Sequence, residues 1–315
     1  MKNAFIQTSK DVISFIRESS TLQNWPESRQ LLVNILSTDP SWIHALPVLA
    51  CKAIEEKPSD AVPAAAAWIT LVHASNVLDI IQDGDAQHLS QFQSAQLAST
   101  VAIAWIFSAF NMIDNPSYDS EIQNKITRTF SSAGIDSSIG QYRGSVINSN
   151  KSNAIERLED YWNVVIMKSG SIFKAGIAAG AIVGGGSEEV IEALGDYGSA
   201  LGVIRQVMDD CRDVWKDIKA SEKYQTLPTL LQWIISENQR FRHREKSIKV
   251  KKRTELIDQP DQVLLSTDLP EIITDILFEW RRRAFESLNQ IKPSEARKML
   301  EAILDLAMTP GTAVD

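Results

Sequence analysis

The sequence has few of the residues that build disulfide frameworks or cysteine and histidine metal sites. Its 315 residues contain two cysteines, Cys51 and Cys211, and four histidines. Two cysteines in a chain of this length do not form a disulfide framework, and we expect a reducing cytoplasm. The histidines show no metal-ligand spacing. No Glu-x-x-His pair occurs, which counts against the ferritin-like carboxylate bundles.

Signals for export, membranes and nucleotides are also missing. Residues 1–15 lack the long apolar core of a signal peptide. Apolar runs fall short of the ~18 residues that a spanning helix needs, so we expect no transmembrane segment. No Walker A sequence is present, and the glycines at 184–186 lack dinucleotide-site spacing. The net charge of −8 argues against nucleic-acid partners, because nucleic-acid binders usually carry a basic face.

Apolar residues are abundant and recur at helical spacing. They make up 44% of the chain, which is enough for a large core. No segment shows the alternation of a half-buried strand, so we predict an all-α protein that forms one domain over residues 1–315. The predicted helices span approximately residues 3–19, 27–37, 47–56, 63–83, 89–113, 118–132, 135–148, 154–183, 188–217, 227–244, 266–291 and 293–308.

Three carboxylates crowd one helix face near residue 210. On a helix Asp209 and Asp210 both neighbour Asp213, and Gln206 lies one turn before Asp210. Burying such carboxylates unpaired costs several kcal/mol. A divalent cation would compensate, since Mg²⁺ binds one or two carboxylates together with substrate phosphates. A solvated acidic helix face is the alternative.

The pattern Gly202-x-x-x-Gln-x-x-Asp-Asp-x-x-Asp213 resembles the second aspartate-rich motif of the trans-isoprenyl diphosphate synthases, the polyprenyl synthetase family. In that family the helix carries magnesium and the diphosphate of an allylic substrate. The resemblance implies an isoprenoid synthase-type helical bundle around a deep central cavity.

A second acidic segment closes the predicted helix 63–83. Asp79 and Asp83 share a helix face near its C-terminal end, where acidic residues oppose the helix dipole. A bound metal would remove that conflict. The segment resembles the family's first motif, Asp-Asp-x-x-Asp, with Ile80 in place of the second aspartate. By the same resemblance, the small residues Ala74 and Ser75 form part of the cavity wall.

Three further segments resemble family motifs. Lys168-Ser169 matches a Lys-Ser/Thr segment whose lysine contacts diphosphate, although a lysine on an apolar helix can instead extend to solvent. Residues 223–228, Lys-Tyr-Gln-Thr-Leu-Pro, resemble a Lys-x-Thr-Leu-Pro segment. Gly140-Gln141 matches the start of Gly-Gln-x-x-Asp, with Gly144 where the aspartate is expected.

The resemblance therefore implies a role for each residue of the motifs. The catalytic candidates are Asp79, Asp83, Asp209, Asp210 and Lys168. The metal-ligand candidates are Asp79, Asp83, Asp209, Asp210 and Asp213. The substrate-binding candidates are Lys168, Gln206, Lys223, Ala74 and Ser75.

Two basic clusters of the family are missing. A Gly-Gly-Lys-Arg segment is expected before residue 47, where residues 39–44 stand instead, and an Arg-Arg-Gly is expected after Asp85. Anionic diphosphates need cationic donors. His44, His88 or the basic run 240–253 could replace them. That run is alternatively a solvated connector, or a patch for phosphate, a membrane surface or nucleic acid.

The function that we expect is a Mg²⁺-dependent prenyltransferase that ionises an allylic prenyl diphosphate to a carbocation. A class I terpene cyclase, or a prenyltransferase with an acceptor other than isopentenyl diphosphate, is one alternative. A non-catalytic partner subunit of a prenyl synthase is another, since Ile80 interrupts the first motif. We expect a homodimer, with a heterodimer as the alternative.

Overall fold

The fold was analysed in a computed structural model. The structure describes residues 2–38, 41–54, 57–84, 86–146, 154–216, 226–231 and 269–309. Within these ranges it is helical and contains no strand, which confirms the predicted all-α class. The main helices are α1 (Lys2–Glu18), α2 (Pro26–Thr38), α3 (Leu46–Lys52), α4 (Val62–Gln82), α5 (Ala95–Ile113), α6 (Ser120–Val146), α7 (Ala154–Val165), α8 (Ser171–Val183), α9 (Glu188–Lys216), α10 (Leu269–Ser287) and α11 (Glu295–Ala307).

Local signals explain several helix starts. Proline stands in the first turn of α4, where its missing N–H costs nothing. Ser94 caps α5 and accepts a hydrogen bond from the backbone N–H of Leu97 at 3.2 Å. Ser294 caps α11 in the same way, with Arg297 as donor at 3.1 Å. A capping serine satisfies backbone N–H groups that have no partner inside the helix.

Two predictions of helix boundaries are wrong. α5 starts at Ala95 and not at 89, because Ala86–Phe92 forms a 3₁₀ helix and Gln93 has a φ of 62°. The predicted helices 118–132 and 135–148 are one helix, α6. Gly134 lies within it, at a cost of about 1 kcal/mol relative to alanine that does not break a long helix. Most of the predicted helix 227–244 lies outside the described residues, and 227–231 are helical.

The predicted helix 154–183 is continuous but not uniform. Between α7 and α8 the backbone widens into a single π-helical segment, Ile166–Gly170, called the π-turn below. Such turns are rare and occur often at functional sites. The periodicity of apolar residues does not reveal the extra residue, because α7 and α8 each keep their own apolar face.

In the core, α8 packs against both α4 and α9. Ala64–Ala67 and Trp68 of α4 are buried, as is most of α8. These short side chains let the helix backbones approach closely. The indole N–H of Trp68 donates to the carbonyl oxygen of Ile172 at 2.8 Å, which links α4 to the start of α8. This contact sets the C-terminal end of α4 near the π-turn.

Three described helical segments are long and apolar enough to cross a membrane, judged by length and composition. They are Pro58–Gln82, Ala95–Ile113 and Glu156–Val183. Polar residues interrupt them, so no long apolar run stands out in the sequence. Between 44% and 61% of these segments is buried inside the protein. The absence of a transmembrane segment stays a prediction. Both cysteines are buried and form no disulfide, as expected.

Candidate functional site

The first acidic segment lies against the π-turn. Nζ of Lys168 lies 2.8 Å and 2.9 Å from the two carboxylate oxygens of Asp79. Asp79 stands in the last turn of α4, and Asp83 is the residue that caps its C-terminus. The side chains of Lys168 and Asp79 are 26% and 31% exposed, so solvent screens the pair and its net contribution to stability is small. The folded chain therefore joins two of the predicted site residues.

The π-turn is also joined to the second acidic segment. The hydroxyl of Ser169 donates to Oε1 of Gln206 at 2.7 Å. Nε2 of the same glutamine donates to Oδ1 of Asp210 at 2.9 Å. Lys168 and Ser169 are adjacent in the chain, so the π-turn connects the end of α4 to the acidic face of α9.

Asp210 is buried, with 6% of its surface exposed. Its Oδ2 accepts hydrogen bonds from the hydroxyl of Tyr161 at 2.7 Å and from the backbone N–H of Leu227 at 3.1 Å. Burial raises the pKa of Asp210 to about 6, although the hydrogen bonds from Gln206, Tyr161 and Leu227 oppose this shift. Both oxygens of Asp210 have donors, so this carboxylate links α9 to α7 and to residues 226–231.

Asp209 has a different environment. Its Oδ2 lies 3.5 Å from Nη2 of Arg205, and its Oδ1 lies 3.0 Å from Nη1 of Arg212. Oδ1 is buried and accepts no hydrogen bond, although the guanidinium of Arg212 lies close to it. A buried carboxylate oxygen without a donor is costly, and a bound cation would satisfy it. Asp83 and Asp213 are exposed.

Residues 44–226 match the model of the family described as polyprenyl synthetase. This match covers more than half of the chain, and it includes both acidic segments and the π-turn. The chain belongs to the polyprenyl synthetase family.

Relatives and solved structures agree with this assignment. A short chain isoprenyl diphosphate synthase from Methanothermobacter thermautotrophicus is 24% identical over 278 residues, which are 84% of each protein. A geranylfarnesyl diphosphate synthase from Methanosarcina mazei is 22% identical over 68% of this chain and 72% of its own length. The crystal structure of a geranylgeranyl pyrophosphate synthetase from Pyrococcus horikoshii superposes with a TM-score of 0.78 over 97% of both chains, at 18% identity. The structural likeness shows that the polyprenyl synthetase chain has the fold of these enzymes.

The predicted metal ligands of this polyprenyl synthetase are not gathered into one cluster. Among the described residues, no group of three or more histidine, cysteine, aspartate or glutamate side chains is close enough to hold a metal ion. Asp79 contacts Lys168, and Asp210 is bound by neutral donors. Asp209 fits a metal best, because its Oδ1 is buried without a donor. The metal role of the five aspartates stays a prediction.

The two candidates for the cavity wall differ in burial. Ala74 is fully buried in the packing of α4. Ser75 is only partly buried, so of the two it is the one with accessible surface. Their role as the wall of a cavity stays a prediction.

His44 does not replace the missing basic clusters. It is 4% exposed, and its Nδ1 lies 2.7 Å from the hydroxyl oxygen of Ser9. Burial, and then the nearby His73, lower the pKa of His44 to about 4. The side chain is therefore neutral at pH 7, and the suggestion that it supplies a cation is wrong. Lys223, Asp85, the side chain of His88 and the basic run 240–253 lie outside what the structure describes.

Sequence reasoning missed Tyr161, Arg205 and Arg212. A buried tyrosine hydroxyl needs a hydrogen-bond partner, but the sequence does not show which carboxylate it meets 49 residues away. The arginines flank Asp209 at helical spacing, a signal that the i,i+3 and i,i+4 rule could have detected.

Proposed function

We propose that the protein is a Mg²⁺-dependent prenyltransferase that acts on an allylic prenyl diphosphate. One observation carries the proposal: the adjacent residues Lys168 and Ser169 connect the two acidic segments. Lys168 contacts Asp79, and Ser169 contacts Gln206, which in turn contacts Asp210. Two relatives, an isoprenyl and a geranylfarnesyl diphosphate synthase, support the same class of substrate.

In the proposed reaction the allylic carbon–oxygen bond breaks, and its electron pair stays on the diphosphate oxygen. Lys168 leaves Asp79 and donates charge-assisted hydrogen bonds to the diphosphate, which are stronger than those between neutral groups. Asp209 would hold Mg²⁺ together with oxygens of the diphosphate. The exposed side chains of Asp83 and Asp213 would have to move toward the ion to become further ligands. The metal supplies positive charge that stabilises the leaving group.

The fate of the allylic cation depends on the acceptor. An alkene attacks the cation, a new carbon–carbon bond forms, and a proton leaves to restore the double bond. The alkene belongs to isopentenyl diphosphate in a synthase, and to the same chain in a cyclase. Apolar walls would protect the cation from water.

A second candidate is a cyclase, or a prenyltransferase with another acceptor. The neutral, buried state of His44 favours it, because isopentenyl diphosphate needs cationic partners and His44 does not supply one. A third candidate, a non-catalytic partner subunit, is favoured by the bidentate contact of Lys168 with Asp79, the remaining aspartate beside Ile80.

One assay separates the three candidates. The purified protein is incubated with Mg²⁺ and C10 to C20 allylic diphosphates, with and without isopentenyl diphosphate. A longer prenyl diphosphate identifies a synthase. Release of pyrophosphate with a hydrocarbon or alcohol product, independent of isopentenyl diphosphate, identifies a cyclase. No turnover under any condition supports the non-catalytic subunit.

We also propose a homodimer that forms through one apolar surface, the α5–α6 face. Its α6 residues are spaced by four, three and four positions, which places them on one side of that helix. Exposed apolar patches of this kind mark protein interfaces. The exposed residues of the face are Ile103 and Phe107 on α5, with Ile135, Ile139, Tyr142 and Val146 on α6. Phe107 is 67% exposed.

Analytical ultracentrifugation of the wild type and Phe107→Asp tests this interface. We expect a dimer for the wild type and a monomer for the variant. A wild-type monomer that pairs only with a second synthase chain supports the heterodimer. The single domain over residues 1–315 and the cytoplasmic location stay predictions.

A further inference from the structure

The π-turn lies between the backbones of two helices, with a glycine on each side. An ideal Cβ on Gly140 of α6 would lie 2.8 Å from the amide nitrogen of Lys168 and 3.1 Å from the carbonyl oxygen of Val164. An ideal Cβ on Gly202 of α9 would lie 2.6 Å from the carbonyl oxygen of Ser169. Real Cβ atoms essentially never approach other atoms within 3.0 Å, so neither position accepts a side chain without a backbone shift.

The two contacts fall on the residues whose side chains join the acidic segments. Gly140 meets the backbone of Lys168, whose ammonium contacts Asp79. Gly202 meets the backbone of Ser169, whose hydroxyl contacts Gln206. Helices α6 and α9 therefore fix the position of the backbone of Lys168 and Ser169, although neither residue belongs to these helices.

We propose that Gly140 and Gly202 are positioning residues for diphosphate binding, because they allow the π-turn to lie where Lys168 and Ser169 reach the site. The inference rests on the proposed function. A displacement of about 1 Å in a positioned group can lower a rate by about 100-fold. The methyl group of an alanine at either position would clash with the backbone of the π-turn and displace it.

Other glycines of the same helices provide matched controls. An ideal Cβ on Gly134, also on α6, has nothing within 4 Å. On α9 the Cβ of Gly195 would meet only the flexible side chain of Lys174, at 3.2 Å. Gly134→Ala and Gly195→Ala therefore change the same helices without moving the π-turn.

The test measures the affinity for inorganic pyrophosphate in the presence of Mg²⁺ by calorimetry, with circular dichroism to confirm the fold. We expect Gly140→Ala and Gly202→Ala to bind at least tenfold more weakly than the wild type, and both controls to bind within twofold of it. In a Lys168→Ala background, we expect Gly140→Ala to change the affinity by less than twofold. An equal loss in both backgrounds would overturn the proposal, because the glycine would then act independently of the lysine.

A milder variant keeps the test decisive if both alanine variants fail to fold. An ideal Cβ on Gly170, within the π-turn, would lie 3.0 Å from the hydroxyl oxygen of Ser199 and in ordinary contact with other atoms. Gly170→Ala should weaken pyrophosphate binding severalfold, and the double variant Gly170→Ala/Ser199→Ala should restore it by removing the hydroxyl. Unchanged binding by Gly170→Ala, or no recovery in the double variant, would overturn the positioning role.

The outcomes separate this inference from the proposed function. A wild type that binds no pyrophosphate with Mg²⁺ contradicts the proposed function and the inference together. A wild type that binds, with glycine variants that bind equally well, contradicts the inference alone.

Discussion

Lys168 contacts both carboxylate oxygens of Asp79, from a position 89 residues further along the chain. The ammonium of Lys168 balances the negative charge of Asp79. In the proposed reaction, the diphosphate would replace Asp79 as the anion that this lysine binds.

The first prediction concerns this lysine. Lys168→Ala should weaken binding of Mg²⁺ with pyrophosphate by about 10- to 100-fold, because a hydrogen bond to a charged group contributes about 1.5–3 kcal/mol. Thermal stability should change little, since both partners are partly exposed. Calorimetry and a thermal unfolding curve measure the two quantities.

Lys174→Ala is the matched control for Lys168→Ala. Lys174 contacts Glu192 at 2.7 Å and Asp196 at 3.1 Å, outside the candidate site. Its loss should leave pyrophosphate binding unchanged. Equal binding by wild type and Lys168→Ala would show that this lysine has no part in the site.

The second prediction separates two adjacent aspartates. Asp210→Asn should destabilise the fold by about 1–3 kcal/mol, because a new N–H₂ group faces donors and leaves one of them buried without an acceptor. Asp209→Asn should change stability less, since Oδ1 of Asp209 accepts no hydrogen bond and its ion pairs with Arg205 and Arg212 are partly exposed. It should abolish the stabilisation that Mg²⁺ and pyrophosphate provide together.

Thermal unfolding with and without Mg²⁺ and pyrophosphate tests both aspartates. A normal melting temperature for Asp210→Asn would contradict its role in linking α9 to Tyr161 and Leu227. Full Mg²⁺-dependent stabilisation of Asp209→Asn would remove that residue from the metal site.

The third prediction concerns the pH dependence of stability. Burial lowers the pKa of His44 to about 4 and that of His73 to about 4, from about 6.5 in the unfolded chain. Between these values the unfolded state binds more protons, so the free energy of unfolding falls as pH decreases from about 6.5 to about 4. Above pH 6.5 these two groups cause no further change.

Asp210 has the opposite effect on the pH dependence of the free energy of unfolding. Its pKa rises from 3.8 to about 6, so the folded state binds more protons in this range, and stability falls as pH increases from about 4 to about 6.

A comparison of wild type with His44→Gln isolates the contribution of this histidine to the pH dependence. The variant should lose less stability on acidification from pH 7 to pH 4.5, in urea unfolding at each pH. Parallel curves would mean that His44 is not buried in its neutral form.

The fourth prediction concerns the length of the prenyl chain. Ser75→Phe should shift the accepted chain to shorter allylic diphosphates, because Ser75 has accessible surface next to the first acidic segment. Ala74→Phe should instead destabilise the fold by about 1–3 kcal/mol, since overpacking a filled core forces neighbours to move. Relative turnover of C10 to C20 substrates and a melting curve distinguish the effects. An unchanged substrate preference for Ser75→Phe would place this residue away from the chain.

The sequence by itself determined the class of fold, the family and the place of most helices. These depend on spacing along the chain: helical periodicity predicts α4 and α9, and the Gln206 to Asp213 pattern identifies the second motif. Boundaries that depend on one capping residue, such as Ser94 before α5, were less accurate. These boundaries depend on the hydrogen bonds of a single turn, and not on a periodicity that extends over many residues.

Only the tertiary structure decided which partner each charged residue has. Asp210 is bound by Tyr161 and Leu227, which are 49 and 17 residues away, and Lys168 meets Asp79 across 89 residues. The packing of α8 against α4 and α9 creates the contacts of the π-turn, and the packing of residues 42–45 against α1, α3 and α4 buries His44 in its neutral form. Burial and long-range partners set the energy of a charge, and neither quantity can be derived from the spacing of residues within one helix.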